Sequence, residues 1–110
     1  MSEPVVVFIT APDEEEAARI ARALVGESLA ACVNIVRDIR SVYSWQGRIN
    51  DESENLLVVK TDKALLERLC RRVKELHSYQ VPEVIALPVV GGLSEYISWL
   101  EDVTEGKTRP

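Results

Sequence analysis

Apolar and polar positions along this chain change period several times, and each change marks a boundary between elements. Val5 to Ile9 is an unbroken run of β-branched and aromatic residues, the pattern of a strand buried on both faces. Thr10-Ala11-Pro12-Asp13 turns the chain, and Asp13 with Glu16 has capping-box spacing, a carboxylate replacing the usual hydroxyl. Ala17, Ile20, Ala21 and Leu24 then recur at helical spacing, with Gly26 as terminator. From Leu29 the period shortens. Ala30 to Val36 and Ile39 to Trp45 are both strand-like, interrupted by Arg37-Asp38. Gln46-Gly47 is a turn signal, and from Arg48 the chain runs on into Leu56-Leu57-Val58-Val59. This pattern predicts a hairpin with arms of about fifteen residues, against about five or six for an ordinary strand.

Thr61 or Asp62 suits the cap of a second helix, where Leu66, Leu69, Cys70, Val73, Leu76 and His77 share one face. Pro82 biases Val81 away from helix, so that helix ends before it. Val84 to Val90 is a further strand, and Pro88 within it predicts an edge position or a bulge. Gly91-Gly92 breaks it, and Ser94 is the expected cap of a short last helix reaching about Val103, followed by a polar tail expected to fray.

Strand, helix, strand, strand, helix, strand is the split βαβ order of an α+β, ferredoxin-like sandwich, here with an added C-terminal helix. Right-handed crossovers put the two main helices on one face of a four-stranded antiparallel sheet and leave the other bare. Arms of fifteen residues at ~3.3 Å each would reach ~50 Å, beyond a body this small. Long edges need a partner. The expectation is therefore a homo-oligomer whose arms pair between subunits; a bend at Arg37-Asp38 that splits the arm is the rival.

Composition narrows the classes. A chain of 110 residues with 46% hydrophobic residues suits one domain over residues 1–110, with 104–110 as its tail. A net charge of −5 argues against broad nucleic-acid or anionic-membrane binding. No apolar run approaches the ~20 residues that span a bilayer. Met1-Ser2-Glu3-Pro4 has no signal-peptide pattern, so the expected location is cytoplasmic. Asp13 to Glu16 complements a helix N-terminus, and Lys63, Arg68, Arg71, Arg72 and Lys74 form a basic helix face, either solvated or a phosphate or RNA site.

His77-Ser78-Tyr79-Gln80-Val81-Pro82-Glu83 concentrates the candidate chemistry. His77 is the sole histidine of the chain, and imidazole is the commonest protein metal ligand. A copper or zinc site takes three or four ligands, so His77 would need Cys32, Cys70, Glu83 or a neighbouring subunit. The alternative is a histidine capping a helix end or bonded within the core. Cys32 and Cys70 read as packing residues, and Lys60 as a snorkelling strand end or a partner for Glu83 or an anion. Tyr43, Trp45, Tyr79 and Trp99 suit interface anchors. There is no phosphate loop, nucleophile elbow or paired-histidine motif, so no enzyme is expected; a Cys32–His77 nucleophilic pair is only formally available.

The segments Thr10-Ala11-Pro12-Asp13, Leu29 to Ile35, Ser44-Trp45-Gln46-Gly47, Val59-Lys60-Thr61 and His77 to Glu83 closely resemble the CutA family of divalent-cation tolerance proteins, in one register from about Val5 to Leu100. The resemblance implies a ferredoxin-like fold, a tight homotrimer, a cytoplasmic location and a role in tolerance of copper or another divalent cation, without established enzymatic activity. It implies two other uses of the same architecture. One is a PII-like trimer binding small molecules or signalling through clefts between subunits, with Cys32, Lys60, His77, Tyr79 and Glu83 as the pocket. The other is a structural or interaction platform. The metal pattern of enterobacterial members places a cysteine at the end of the first strand and two adjacent histidines before Tyr-x-x-Pro-Glu. Here Ile9 and Leu76 occupy two of those positions and only His77 matches, with Ser78 where a proline is common. Metal binding through that pattern is expected to be weak.

Overall fold

A computed structural model describes residues 2–105. The elements run β1 (Pro4–Ala11), α1 (Glu14–Gly26), β2 (Cys32–Trp45), β3 (Arg48–Asp62), a 3-10 turn (Lys63–Leu65), α2 (Leu66–Leu76), β4 (Val84–Pro88) and α3 (Ser94–Thr104). The sheet order is β2-β3-β1-β4 and every neighbouring pair is antiparallel. This is the α+β architecture with a four-stranded sheet and three helices that the element order predicts. Residues 106–110 of the expected tail lie outside the described residues. No helix among the described residues is long and apolar enough to cross a membrane.

One face of the sheet carries the core. Val5, Val7 and Ile9 of β1 and Leu57 and Val59 of β3 pack against Ala17, Ile20, Ala21 and Leu24 of α1 and Leu69 and Val73 of α2. Thr61 is fully buried at the end of β3, its hydroxyl donating to the Leu29 carbonyl at 2.7 Å. The unbroken run Val5–Ile9 does not lie buried on both faces. Val6 and Phe8, pointing the other way, are only half-buried, because α3 alone lies against that side and covers part of it. Leu100 of α3 is fully buried yet stands apart from the main core.

Several boundaries follow local chemistry. Asp13 caps α1, its carboxylate accepting the Glu16 amide hydrogen at 2.8 Å. Glu16 is buried elsewhere, so the reciprocal half of the capping box is absent. Gly26 closes α1 from inside, and Ser28, at φ 60°, takes the left-handed conformation that reverses the chain. Asp62 rather than Thr61 caps the following turn, accepting from the Ala64 amide at 2.9 Å. Its carboxylate also receives the Ser2 hydroxyl and the Glu3 amide, and despite partial burial these bonds hold its pKa below the usual value. Ser94 is the first helical residue of α3 and does not cap it; Leu93 occupies that position without a side-chain bond.

The hairpin arms are 14 and 15 residues long, and the molecule measures 44 × 25 × 23 Å. The two arms pair with each other throughout, joined by Gln46 (φ 50°) and Gly47 (φ 78°), which form a tight two-residue turn. The Arg37-Asp38 interruption is a bulge between Val36 and Ile39, with Asp38 at φ 58°, and it leaves β2 a single strand. Pro88 does sit on an edge strand, β4.

Candidate functional site

The chain between α2 and β4 positions two sets of side chains. His77 is the residue just past α2, with extended backbone (φ −83°, ψ 141°), rather than a member of its last turn. Its side chain is fully buried. Nε2 lies 2.7 Å from the Thr10 carbonyl, and the Tyr79 amide donates to Nδ1 at 3.0 Å. A carbonyl accepts only, so these partners select the tautomer with hydrogen on Nε2. Glu16 reaches the same point from α1. Its Oε2 accepts the Ser78 amide at 2.9 Å and the Ser78 hydroxyl at 3.0 Å, and lies 3.3 Å from His77 Nδ1. The histidine and the glutamate together fasten the inter-element segment onto β1 and α1.

Both nitrogens of His77 are therefore engaged, and in this arrangement neither offers a lone pair to an ion. The remaining expected donors do not gather round it. Among the described residues no three His, Cys, Asp or Glu side chains converge as a metal site. The residues of one chain do not fit a tight copper or zinc centre.

From Tyr79 the segment faces the other way. Tyr79 packs its ring on His77, with centroids 4.7 Å apart, and donates its hydroxyl to Glu54 Oε2 at 2.8 Å. Burial first, then the bond to Glu54, push the Tyr79 phenol above its usual range, so it remains a donor. Glu54 and Tyr79 border a cleft of about 600 Å³, whose walls also include Tyr43, Trp45, Val81 and Glu83. Thr10, Arg40, Ser41, Val42 and Gln80 complete it. Partial burial, then the negative charge of Glu54, raise the pKa of Glu83. Tyr43 donates to Glu52, which raises the Tyr43 phenol likewise. Arg40 is held bidentate by Asp51 at 2.8 and 2.7 Å.

Within one chain, the five residues expected to line a cleft between subunits lie in separate places. Tyr79 and Glu83 line the cleft; His77 lies buried behind it. Cys32 and Lys60 are directly paired across β2 and β3, six residues of β3 from Glu54, or ~20 Å along the strand. Lys60 donates to Asn34 and lies 3.9 Å from the Cys32 sulfur, so it meets neither Glu83 nor His77. Tyr96 of α3 also approaches Cys32. Cys32 and His77 have separate partners and form no nucleophilic pair. Cys70 is a free, half-buried thiol of α2 whose pKa burial raises. The three interface aromatics separate too: Tyr43 and Trp45 flank the cleft, while Trp99 packs on Tyr96 at 5.4 Å.

Glu54 and Glu16 were not singled out as site residues from sequence. Glu54 follows Asp51-Glu52-Ser53, which reads as a solvated acidic stretch, and Glu16 reads as a cap partner. Strand alternation assigns Glu54 to the face of Leu56 and Val58, the only signal that could have drawn notice to it.

The family described as CutA1 divalent ion tolerance protein matches residues 5–103. The divalent-cation tolerance protein CutA of Thermus thermophilus is 52% identical over 99 residues, covering 90% of this chain and 96% of that protein. A chloroplastic CutA of Arabidopsis thaliana is 49% identical over 100 residues, 91% of this chain; these span 55% of the plant protein, so the chain matches about half of that relative's length. The crystal structure of CutA1 from Oryza sativa superposes with a TM-score of 0.89 at 46% identity, covering 92% of this chain and 93% of that one. A periplasmic divalent cation tolerance protein CutA from Archaeoglobus fulgidus gives 0.88 at 39% identity, covering 92% and 98%. With the family matched over residues 5–103 of this chain and relatives at this identity, the chain belongs to the CutA1 divalent ion tolerance family.

Proposed function

We propose that this chain serves divalent-cation tolerance as a homotrimer, responding to copper or another divalent cation without turning over a substrate. The assembly is supported above all by one observation: apolar surface that the chain does not cover itself. Ile85 (57% exposed) and Leu87 lie on edge strand β4, facing away from α1 and α2, and Val36 is exposed on the same side of β2. Val42, Tyr43, Trp45 and Ile49 (82% exposed) continue apolar exposure to the hairpin turn. Isolated apolar side chains on a surface are ordinary, but several on a protruding hairpin and on both edge strands of a sheet support a partner surface. A second copy of the chain supplies the matching edge. Native mass spectrometry at micromolar protein would give three times 12.3 kDa; a monomer at that concentration removes the proposal.

The metal part of the reading is a response or weak binding rather than chelation at His77. His77 bonds Thr10 and Tyr79, and Ile9 and Leu76 are not donors. Calorimetric titration with copper tests this: native protein and His77→Gln are expected to bind equally weakly. Tight binding abolished by His77→Gln would restore the histidine as ligand. The cytoplasmic location belongs to the same proposal, and cell fractionation checks it.

A further inference from the structure

Two partners compete for one nitrogen of His77. Nδ1 lies 3.0 Å from the Tyr79 amide nitrogen and 3.3 Å from Glu16 Oε2, while Nε2 is committed to the Thr10 carbonyl at 2.7 Å. With hydrogen on Nε2 alone, the Tyr79 amide donates to Nδ1, and Nδ1 and Oε2 face each other as two acceptors. With hydrogen on both nitrogens, the ring keeps Thr10 and donates to Oε2, but two N–H groups then oppose each other at Tyr79. Each protonation state satisfies one neighbour of Nδ1 and leaves the other unmatched.

The surroundings favour a switch between these states. The His77 side chain is fully buried and that of Glu16 nearly so, both by elements of their own chain, so the arrangement does not depend on a second copy. From α1 come Glu16 and Arg19, which lies 3.9 Å from Glu16 and donates to the Leu76 carbonyl. Strands β1 and β4 carry no titratable side chain. Further out stand the Tyr79 phenol on Glu54 of β3, Glu83, and Lys74 of α2, which donates to the Gln80 carbonyl. The charged group against the ring itself is Glu16. A buried ion pair needs additional hydrogen bonds to hold its carboxylate, and Glu16 already has two from Ser78.

We propose that His77 is a proton switch: one proton taken up at Nδ1 moves its bond from the Tyr79 amide to Glu16. Ser78 stays fastened to α1, and Tyr79 is released. The Tyr79 hydroxyl holds Glu54 of β3, so a proton bound in the interior changes how the inter-element segment is tied to the sheet. The proposal rests on neither the trimer nor a metal ion.

Nitrogen-15 NMR of the labelled full-length protein between about pH 7.5 and about pH 5, the range in which imidazole changes charge, tests it. His77 is the sole histidine, so its ring signals are unambiguous. The expected result is a neutral ring at the upper end, with Nδ1 gaining hydrogen on acidification. The Tyr79 amide should shift with the same midpoint and lose exchange protection, while the Ser78 amide keeps its own. His77→Gln should abolish the Tyr79 response, which separates it from titration of Glu83. Glu16→Gln keeps an acceptor for Ser78 without the charge. It should need at least about threefold more acid for the same change, because a nearby negative charge favours the charged ring. Should His77→Gln fail to fold, Glu16→Gln carries the comparison. A ring that titrates without Tyr79, a Tyr79 response that survives His77→Gln, an unchanged acid requirement in Glu16→Gln, or a ring that stays neutral until the protein unfolds would each overturn the proposal.

Discussion

Glu16 and Glu54 are both buried carboxylates that touch the segment from His77 to Glu83, and they are treated in opposite ways. Glu16 receives two hydrogen bonds from Ser78, approaches His77, and has Arg19 at 3.9 Å. Glu54 receives one from Tyr79 and, among the described residues, forms no ion pair. The Glu16 side is closed and satisfied, and its role is to hold the segment in place. The Glu54 side borders a cleft. The contrast separates a buried anchor from a cleft wall, although adjacent residues of a single loop serve both.

Substitutions can break this contrast, and the largest effect belongs on the anchored side. His77→Ala removes a packed ring and two hydrogen bonds, leaving the Thr10 carbonyl and the Tyr79 amide without partners; chemical denaturation should show a loss of about 3 kcal/mol. Glu16→Ala should cost about 2 kcal/mol, since the part-buried Ser78 bonds to a charged acceptor disappear. Combining it with His77→Ala should cost less than the sum by more than about 0.5 kcal/mol, as expected for one network. On the open side, Tyr79→Phe should cost only about 1 kcal/mol, the value of one hydrogen bond. A cost for Tyr79→Phe larger than that for His77→Ala would reverse the assignment of anchor and cleft.

The smallest effect has a sign that distinguishes the two sides. The folded-state pKa of Glu83 is raised, by partial burial and then by Glu54. A raised folded pKa means that the protonated acid favours folding below the unfolded value, about 4.3, and that this contribution is lost as pH rises through the folded value. At pH 7 the ionised side chain is then a small net cost. Glu83→Gln should accordingly shift the urea midpoint slightly upward at pH 7 and leave it unchanged at pH 4. A downward shift at pH 7 would show that the negative charge at the cleft is already balanced.

Much of the architecture was readable because the signals are local. Alternation and helical period locate β1, α1, the hairpin, α2 and β4. Gln46-Gly47 supplies the positive φ values that a two-residue turn demands. Arg37-Asp38 shows as a break in the apolar pattern because one extra residue is inserted there, although its outcome as a bulge within one strand depends on β3 continuing to pair on both sides. Pro88 signals an edge because it has no amide hydrogen to give a second neighbour. The expectation that Val5–Ile9 is buried on both faces failed for a non-local reason: what lies over Val6 and Phe8 is set by α3, some ninety residues away.

By itself the sequence determined the elements, their order, the turns and the family, since each rests on neighbours a few residues apart or on motifs read in register. Tertiary structure alone decided what the polar side chains do. Strand register places Cys32 and Lys60 at one end of the hairpin and Glu54 near the middle of β3, so within one chain they do not share a cleft. Helix packing turns His77 inward onto Thr10 and Glu16, and the next turn of chain brings Tyr79 to Glu54. A carboxylate in an acidic stretch carries no mark of burial in its neighbours. Its burial, and the loss of hydration that goes with it, exists only once the sheet and the loop close around it.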